Sequence, residues 1–323
     1  MRAALVKLPP LAWRDRRIAD LEYKLRKSEY RRTVRIVRPS YQARLHTERR
    51  LAELRTSLGA PATSPNKDGK FATNDIVRSL GIDVPELYGQ WDSPTQIPWD
   101  DLPDLVVVKS SFGSTGRGVF PVRRVPGGWQ VVSHDDLVSS DEIVAKLREL
   151  QEQKRIRGPF GAEEFLAGDD GPGSLPTDIK AYAFYGEVPA LMLCRRGQHG
   201  NTRASTYRYI DPTGQDLAGI EEGSPTDFTI EPPANLDDVI EAARRLSLGF
   251  RVPFSRIDLY SVGSRVVFGE ITPRPGGQDW FGTELDTRLG EIWESAQVRR
   301  DRDLALEAAE ETASGGETAL TAR

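Results

Sequence analysis

Residues 108–119 read Val108-Lys109-Ser110-Ser111-Phe112-Gly113-Ser114-Thr115-Gly116-Arg117-Gly118-Val119. The apolar run Leu105-Val106-Val107-Val108 delivers a lysine from a buried strand, and a loop of small residues with three glycines follows. Backbone N–H groups in such a loop can turn toward phosphate oxygens without a Cβ clash, and the lysine neutralises phosphate charge. The spacing is not that of a Walker A loop, and a strand rather than a helix follows. Both the P-loop and the dinucleotide fingerprint therefore fail. Taken alone, the segment also reads as a glycine-rich hairpin turn with no ligand.

Two further segments carry carboxylates. Ser255-Arg256-Ile257-Asp258-Leu259-Tyr260 and Val266-Val267-Phe268-Gly269-Glu270-Ile271-Thr272 read as a hairpin around Gly263, with Asp258 and Glu270 at equivalent depths. Carboxylates facing each other across a sheet repel unless a cation lies between them. Mg²⁺ takes one or two carboxylates together with phosphate oxygens and water, which suits such a pair. The alternative is strand faces that leave both acids in solvent. Phe160-Gly161-Ala162-Glu163-Glu164-Phe165-Leu166 and Thr177-Asp178-Ile179-Lys180-Ala181-Tyr182 fit the lining of an adenine and ribose pocket, and a surface strand explains them equally well.

Outward from these segments, the pattern predicts helices over 74–80, 141–153 and 236–248, the first and last closed by Gly81 and Gly249. Hairpins are predicted over 118–133, turning at Pro126-Gly127, and over 180–193, turning at Tyr185-Gly186-Glu187. Antiparallel hairpins with packing helices make the fold class α+β rather than a regular βαβ series. Ile18, Leu21 and Leu25, then Leu51, Leu54 and Leu58, recur at helical spacing across 14–58, and Pro39 divides that stretch into two helices. Residues 60–66 read as a linker, and the polar stretch from 300 on as a frayed tail.

The order of these parts is more specific than any one of them. A lysine–glycine flap, an acidic hinge, an Asp-Ile-Lys strand and an Asp…Glu hairpin are the successive parts of an ATP-grasp fold. The run resembles the teichuronopeptide-biosynthesis (TupA-like) branch of that superfamily over roughly residues 64–292. The likeness begins at Lys67-Asp68-Gly69-Lys70 and continues through Val84-Pro85-Glu86-Leu87-Tyr88-Gly89-Gln90-Trp91-Asp92-Ser93-Pro94 and Asp101-Leu102-Pro103-Asp104. It closes at Arg256-Ile257-Asp258-Leu259-Tyr260 and Phe268-Gly269-Glu270-Ile271-Thr272. The flap departs from the branch, with Phe112 and Thr115-Gly116-Arg117 where a His-Gly-Ser-Gly-Gly type sequence is usual.

The resemblance implies a domain order. A basic helical arm (1–60) precedes an N-terminal lobe (61–105), a glycine-rich flap subdomain (106–168), a metal- and substrate-binding lobe (169–299) and a flexible tail (300–323). It implies ATP and Mg²⁺ as cofactors. Lys70 and Lys109 are expected on the α- and β-phosphates. The flap, with Ser110, Ser111, Gly113, Ser114, Thr115 and Gly116, is expected over the β- and γ-phosphates. Glu163 and Glu164, with the backbone of Phe165 and Leu166, fall at the adenine hinge. Asp178 falls at a ribose or metal-linked position, and Lys180 near the transferred phosphoryl group. Asp258 and Glu270 match the metal ligands, and Thr272 stands where many relatives carry an asparagine ligand. Arg195 falls near the acyl phosphate, and Arg274 is placed to meet an acidic acceptor. Arg196, His199, Arg203 and Arg208 form a candidate carboxylate-binding wall.

The activity implied is an ATP-dependent carboxylate–amine ligase that forms an amide through an acyl phosphate, on an amino acid or short peptide, in cell-envelope or natural-product biosynthesis. A small-molecule kinase on the same fold and a nucleotide-binding scaffold remain open.

Composition sets the outer limits. The chain has 323 residues, 38% of them hydrophobic, which is enough for a sizeable core. No apolar run approaches the ~18 residues a membrane span needs, so no membrane insertion is expected. The single cysteine, Cys194, reads as a buried, inert thiol, and one cysteine suits a reducing, cytoplasmic setting. Residues 1–60 carry 16 Lys+Arg against 6 Asp+Glu, a net of +10, and the remainder a net of −14. A basic arm on an acidic body is compatible with an anionic partner, with a homodimer contact, or with docking on its own body.

Overall fold

The computed structural model describes residues 17–22, 24–25, 38–61, 63–113, 116–134, 137–168, 171, 173–197, 199, 204–221, 224–276, 279 and 281–320, with backbone alone for 312–320. Ser114, Thr115 and Arg203 lie outside the described residues.

Two antiparallel sheets organise the chain. The first comprises β1 (Leu87–Trp91), β2 (Leu105–Phe112), β3 (Val119–Val125), β4 (Gly128–Val131), β5 (Leu137–Val138) and β6 (Arg157–Glu164), in the order β1-β6-β2-β3-β4-β5. The helix α3 (Ser140–Glu152) covers it, starting on a capping box between Ser139 and Glu142. Its Ile143, Leu147 and Leu150 pack against Val106, Val108, Val122 and Phe160.

The second sheet comprises β7 (Asp178–Phe184), β8 (Glu187–Arg196), β9 (Ser205–Ile210), β10 (Ser255–Val262) and β11 (Arg265–Thr272), in the order β11-β10-β7-β8-β9. Its two faces follow from the period of two along a strand. Ile179, Ala181, Ile257, Leu259 and Ile271 join one core with α2 (Lys70–Ser79) and α4 (Leu236–Gly249). Asp178, Lys180, Tyr182, Arg256, Asp258 and Glu270 take the other face. Both acids were at risk of lying in solvent, but Asp258 is buried.

The sheets are joined beside their strand ends. Phe268 N donates to Asp83 O at 2.8 Å. Arg265 pairs with both Asp83 and Glu164, at 3.3 and 3.0 Å.

The N-terminal segment is helical on both sides of Pro39, as expected, whereas the C-terminal one differs from the sequence expectation. Residues 17–22 and 24–25 are helical, with Ile18, Leu21 and Leu25 exposed. The second helix, α1 (Tyr41–Ser57), is capped by Ser40 Oγ, which accepts from Ala43 N at 3.1 Å. The periodic leucines do not anchor it, because Leu51, Leu54 and Leu58 are exposed. Tyr41 and Leu45 anchor it instead, each fully buried. The Tyr41 ring lies edge-on to Phe254 at 5.3 Å and Phe281 at 5.5 Å, and tilted against Trp293 at 5.7 Å. This end of the basic segment is thus docked on the body.

The expected frayed tail is helical, since α5 runs Thr283–Leu320. Arg299 donates to Phe184 O, and Arg251 pairs with Glu307 at 2.7 Å, so side chains of the body hold it past residue 300. At Gly290 a Cβ would collide with the backbone of Pro39 and Ser40, so only glycine lets the chain enter α1 across α5. No helix among the described residues is long and apolar enough to cross a membrane.

Candidate active site

A small cleft of about 80 Å³ opens where α2, the end of β2 and β11 meet, below the ~300–1,000 Å³ typical of small-molecule sites. Asn66, Lys70, Ser111, Gly113, Gly269 and Glu270 are among its walls. The first sheet thus supplies Ser111 and Phe112, with Gly113 directly after, and the second supplies Glu270.

Lys70 feels both sides. Burial pushes its ammonium down, Glu270 pulls it up, Lys109 pushes it down and Glu163 pulls it up. Lys109, buried in β2, lies 2.5 Å from Glu163 Oε1. The other oxygen, Glu163 Oε2, is buried with no hydrogen-bond partner among the described residues, an acceptor lacking a donor.

Gly69 closes the start of α2 against this cleft with φ +91°, and a Cβ there would overlap Ser111 Oγ and approach Phe112 Cζ to 2.9 Å. Gly69→Ala is expected to destabilise the fold by about 1–3 kcal/mol through backbone strain and that overlap. A denaturant midpoint compared with wild type measures it.

Beside the cleft, charges alternate across three strands. Arg196 Nη2 lies 2.6 Å from Asp178 Oδ2, which lies 2.6 Å from Lys180 Nζ. Lys180 Nζ lies 2.5 Å from Asp258 Oδ2, and Arg256 clamps both oxygens of Asp258 at 2.7 and 2.9 Å. The register produces this row, with Lys180 opposite Asp258 and Asp258 opposite Glu270. Three cations against two carboxylates leave one positive charge in surplus. Burial pushes the Asp258 carboxyl up, but Arg256 and Lys180 outweigh it and hold it at about 2.

Several expected residues stand apart from this assembly. Successive strand residues face opposite ways, so Arg195 points away from Arg196 and pairs with Asp227 at 2.9 Å and with Thr229. Arg208 likewise pairs with Asp216 at 2.8 Å. Glu164 turns from Glu163 toward Arg265 and accepts from Glu86 N at 3.2 Å. Ser110 Oγ donates to Phe112 O at 3.1 Å, within the loop itself, while Ser110 N donates to Gly118 O. Gly116 turns with φ +73°. Phe165 and Leu166 follow the end of β6, Leu166 buried. Arg274 makes no hydrogen bond or ion pair among the described residues, and Thr272 Oγ1 accepts from Arg256 at 3.4 Å.

His199 is tied into the fold rather than free in its loop. Its Nε2 donates to Val119 O at 2.7 Å, and its backbone N donates to Ser133 Oγ, tying the loop after β8 to the first sheet. Cys194 is buried, and burial pushes its thiol up, as an inert cysteine requires. The sequence reading assigned no role to Arg256, although residues two apart on a strand share a face and Arg256 precedes Asp258 by two.

Oxygen-only donors suit Mg²⁺, and the residues fit unequally. Glu270 lines the cleft and has no hydrogen bond or ion pair among the described residues. Asp258 is already engaged at both oxygens. No group of three or more His, Cys, Asp or Glu side chains among the described residues could hold a metal. A cation here would therefore rely on few protein ligands, as Mg²⁺ does beside phosphates.

A lysine-bearing sheet and a carboxylate-bearing sheet meeting over a cleft, with the strand orders given above, form the ATP-grasp fold. The family profile described as TupA-like ATPgrasp matches residues 59–294, and the chain belongs to that family. A search of curated proteins finds no significant match. Among solved structures, the chain resembles D-alanine–D-alanine ligase from Bacillus anthracis complexed with ATP, at 16% identity and TM-score 0.48, over 78% of this chain and 76% of that one. It resembles L-amino acid ligase from Bacillus licheniformis at 16% identity and TM-score 0.38, over 70% and 46%. The third is the Chryseobacterium gregarium RiPP-associated ATP-grasp ligase, at 16% identity and TM-score 0.40, over 76% and 63%.

Proposed function

We propose that this protein is an ATP-dependent carboxylate–amine ligase that joins an amino acid or short peptide to an amine through an acyl phosphate. The observation that carries the proposal is the single cleft between Lys70, the Lys109 strand and Glu270, with the Asp178–Lys180–Asp258–Arg256 row beside it.

The roles follow from charge and partners. Lys70 and Lys109 neutralise phosphate oxygens. Glu163 Oε2 accepts from the exocyclic amino group of adenine, and Phe165 and Leu166 offer backbone groups to the base edge. The loop from Ser110 to Gly118 covers the phosphates and excludes water, which would hydrolyse an acyl phosphate. Glu270 is the principal metal ligand, with Asp258 and Thr272 as weaker ones. When bound, Mg²⁺ offsets phosphate charge and aligns the terminal phosphoryl group. Lys180 and Arg256, oriented by Asp178 and Asp258, stabilise negative charge at the reacting carboxyl group. Arg274 recognises an acidic group on the substrate. The amine then displaces phosphate from the acyl carbon and loses a proton. No catalytic role is retained for Arg195, which is held on Asp227.

The test is a panel of amino acids and dipeptides with Mg-ATP, read as ADP and phosphate release. The proposal expects equal ADP and phosphate that require both an acid and an amine. A phosphorylated product released without an amine would assign a kinase instead. No turnover with any acid would leave the ligase reading without support.

A further inference from the structure

Residues before 59 lie outside the family match, yet α1 reaches the loop that leaves β11 directly after Thr272. Asp279, in that loop, accepts from Tyr41 Oη at 3.2 Å and from Tyr182 Oη at 2.6 Å. Tyr182 stands opposite Arg256 in the sheet, and Arg256 stands opposite Thr272. About two turns further along α1, Arg49 donates to Pro275 O, and Gly276 lies beside its guanidinium. The same helix is tied to α5, which follows the loop, since Gln42 N donates to Asp286 Oδ1 at 2.9 Å and Arg44 pairs with Glu294 at 3.1 Å.

We infer that Tyr41 and Arg49 are positioning residues that set residues 273–276 and Asp279, and with them Arg274, against the Tyr182–Arg256–Thr272 row. In this arrangement the N-terminal helix is a part of the substrate site that the family match does not contain. Several features of the contacts favour this reading over simple packing. A Tyr41 ring alone would fill the aromatic cluster, yet its hydroxyl reaches a half-buried carboxylate in the loop. Arg49 makes no ion pair within 4 Å among the described residues; it acts on the Asp279 carboxylate through space and gives its hydrogen bond to the loop backbone. Both bonds end on the segment that carries Arg274, the expected contact to an acidic group. The consequence for substrate rests on the ligase proposal, and the consequence for the loop does not.

The test uses the full chain as wild type, Tyr41→Phe, Arg49→Ala and Arg49→Lys. Hydrogen–deuterium exchange reads the loop, and equilibrium binding of a non-hydrolysable ATP analogue with Mg²⁺ reads the nucleotide site. Each of Tyr41→Phe and Arg49→Ala removes one hydrogen bond, so exchange over 273–276 and at Asp279 is expected to rise about tenfold. Exchange in β7 and β10 and binding of the analogue stay at wild-type values. Arg49→Lys keeps a donor and restores slow exchange. With an acid identified in the panel, KM for that acid rises about tenfold in Arg49→Ala while kcat changes far less. Unchanged loop exchange in both variants overturns the inference. So does a rise spread over β7 and β10 or a parallel loss of analogue binding, since either shows general loosening. The exchange readout decides even if no acid is turned over.

Discussion

Glu270→Gln is expected to cut ADP release about a thousandfold while leaving stability within about 0.5 kcal/mol of wild type. The carboxylate lines the cleft and makes no hydrogen bond or ion pair among the described residues, so little folding free energy depends on its charge. Glutamine keeps the shape and removes the anion that a Mg²⁺ ion needs beside phosphates. The same substitution also removes the larger of the two carboxylate influences that raise Lys70, leaving Glu163. Steady-state turnover with saturating Mg-ATP, alongside a urea unfolding curve, separates the two effects. A variant that turns over normally would remove Glu270 from the metal role.

Asp258→Asn should behave in the opposite way, losing about 3–5 kcal/mol of stability. Lys180 and Arg256 are both drawn onto this one carboxylate, and all three side chains are shielded from water. Removing its charge leaves two neighbouring cations with Asp178 as the remaining anion. The pH dependence has a definite sign. The folded carboxyl is held at about 2, below its ordinary 3.8. Its contribution is therefore complete above about pH 4 and is lost as pH falls through about 2, amounting to about 2 kcal/mol. The gap in unfolding free energy between wild type and Asp258→Asn should narrow between pH 5 and pH 2. A gap independent of pH would show that the carboxylate is not the ion-pair centre.

The second sheet was legible because its polarity alternates strictly. Asp178-Ile179-Lys180 and Arg256-Ile257-Asp258 carry charge on one face and apolar bulk on the other, and the pairing then follows from hairpin turns at Gly186 and Gly263. The same alternation, applied further, separates Arg195 from Arg196 and brings Arg256 into the site. The docking of α1 was hidden because Leu51, Leu54 and, just past its end, Leu58 are exposed, while Tyr41 and Leu45 carry the contact. Leu58 is 80% exposed whereas Tyr41 is 0% exposed, since a tyrosine can fill an aromatic core and still satisfy its hydroxyl. The helical C-terminus was masked by Gly315 and Gly316, each of which costs a helix only about 1 kcal/mol. Arginine and glutamate contacts upstream hold the helix despite them.

The central claim is that lysines from one side of the cleft and Glu270 from the other receive a single Mg-triphosphate. Isothermal titration with a non-hydrolysable ATP analogue and Mg²⁺ tests it on wild type, Lys70→Ala and Lys109→Ala. Each lysine removed should weaken binding at least about tenfold, a loss of charge-assisted contacts to phosphate. Wild-type affinity in both variants would contradict the account.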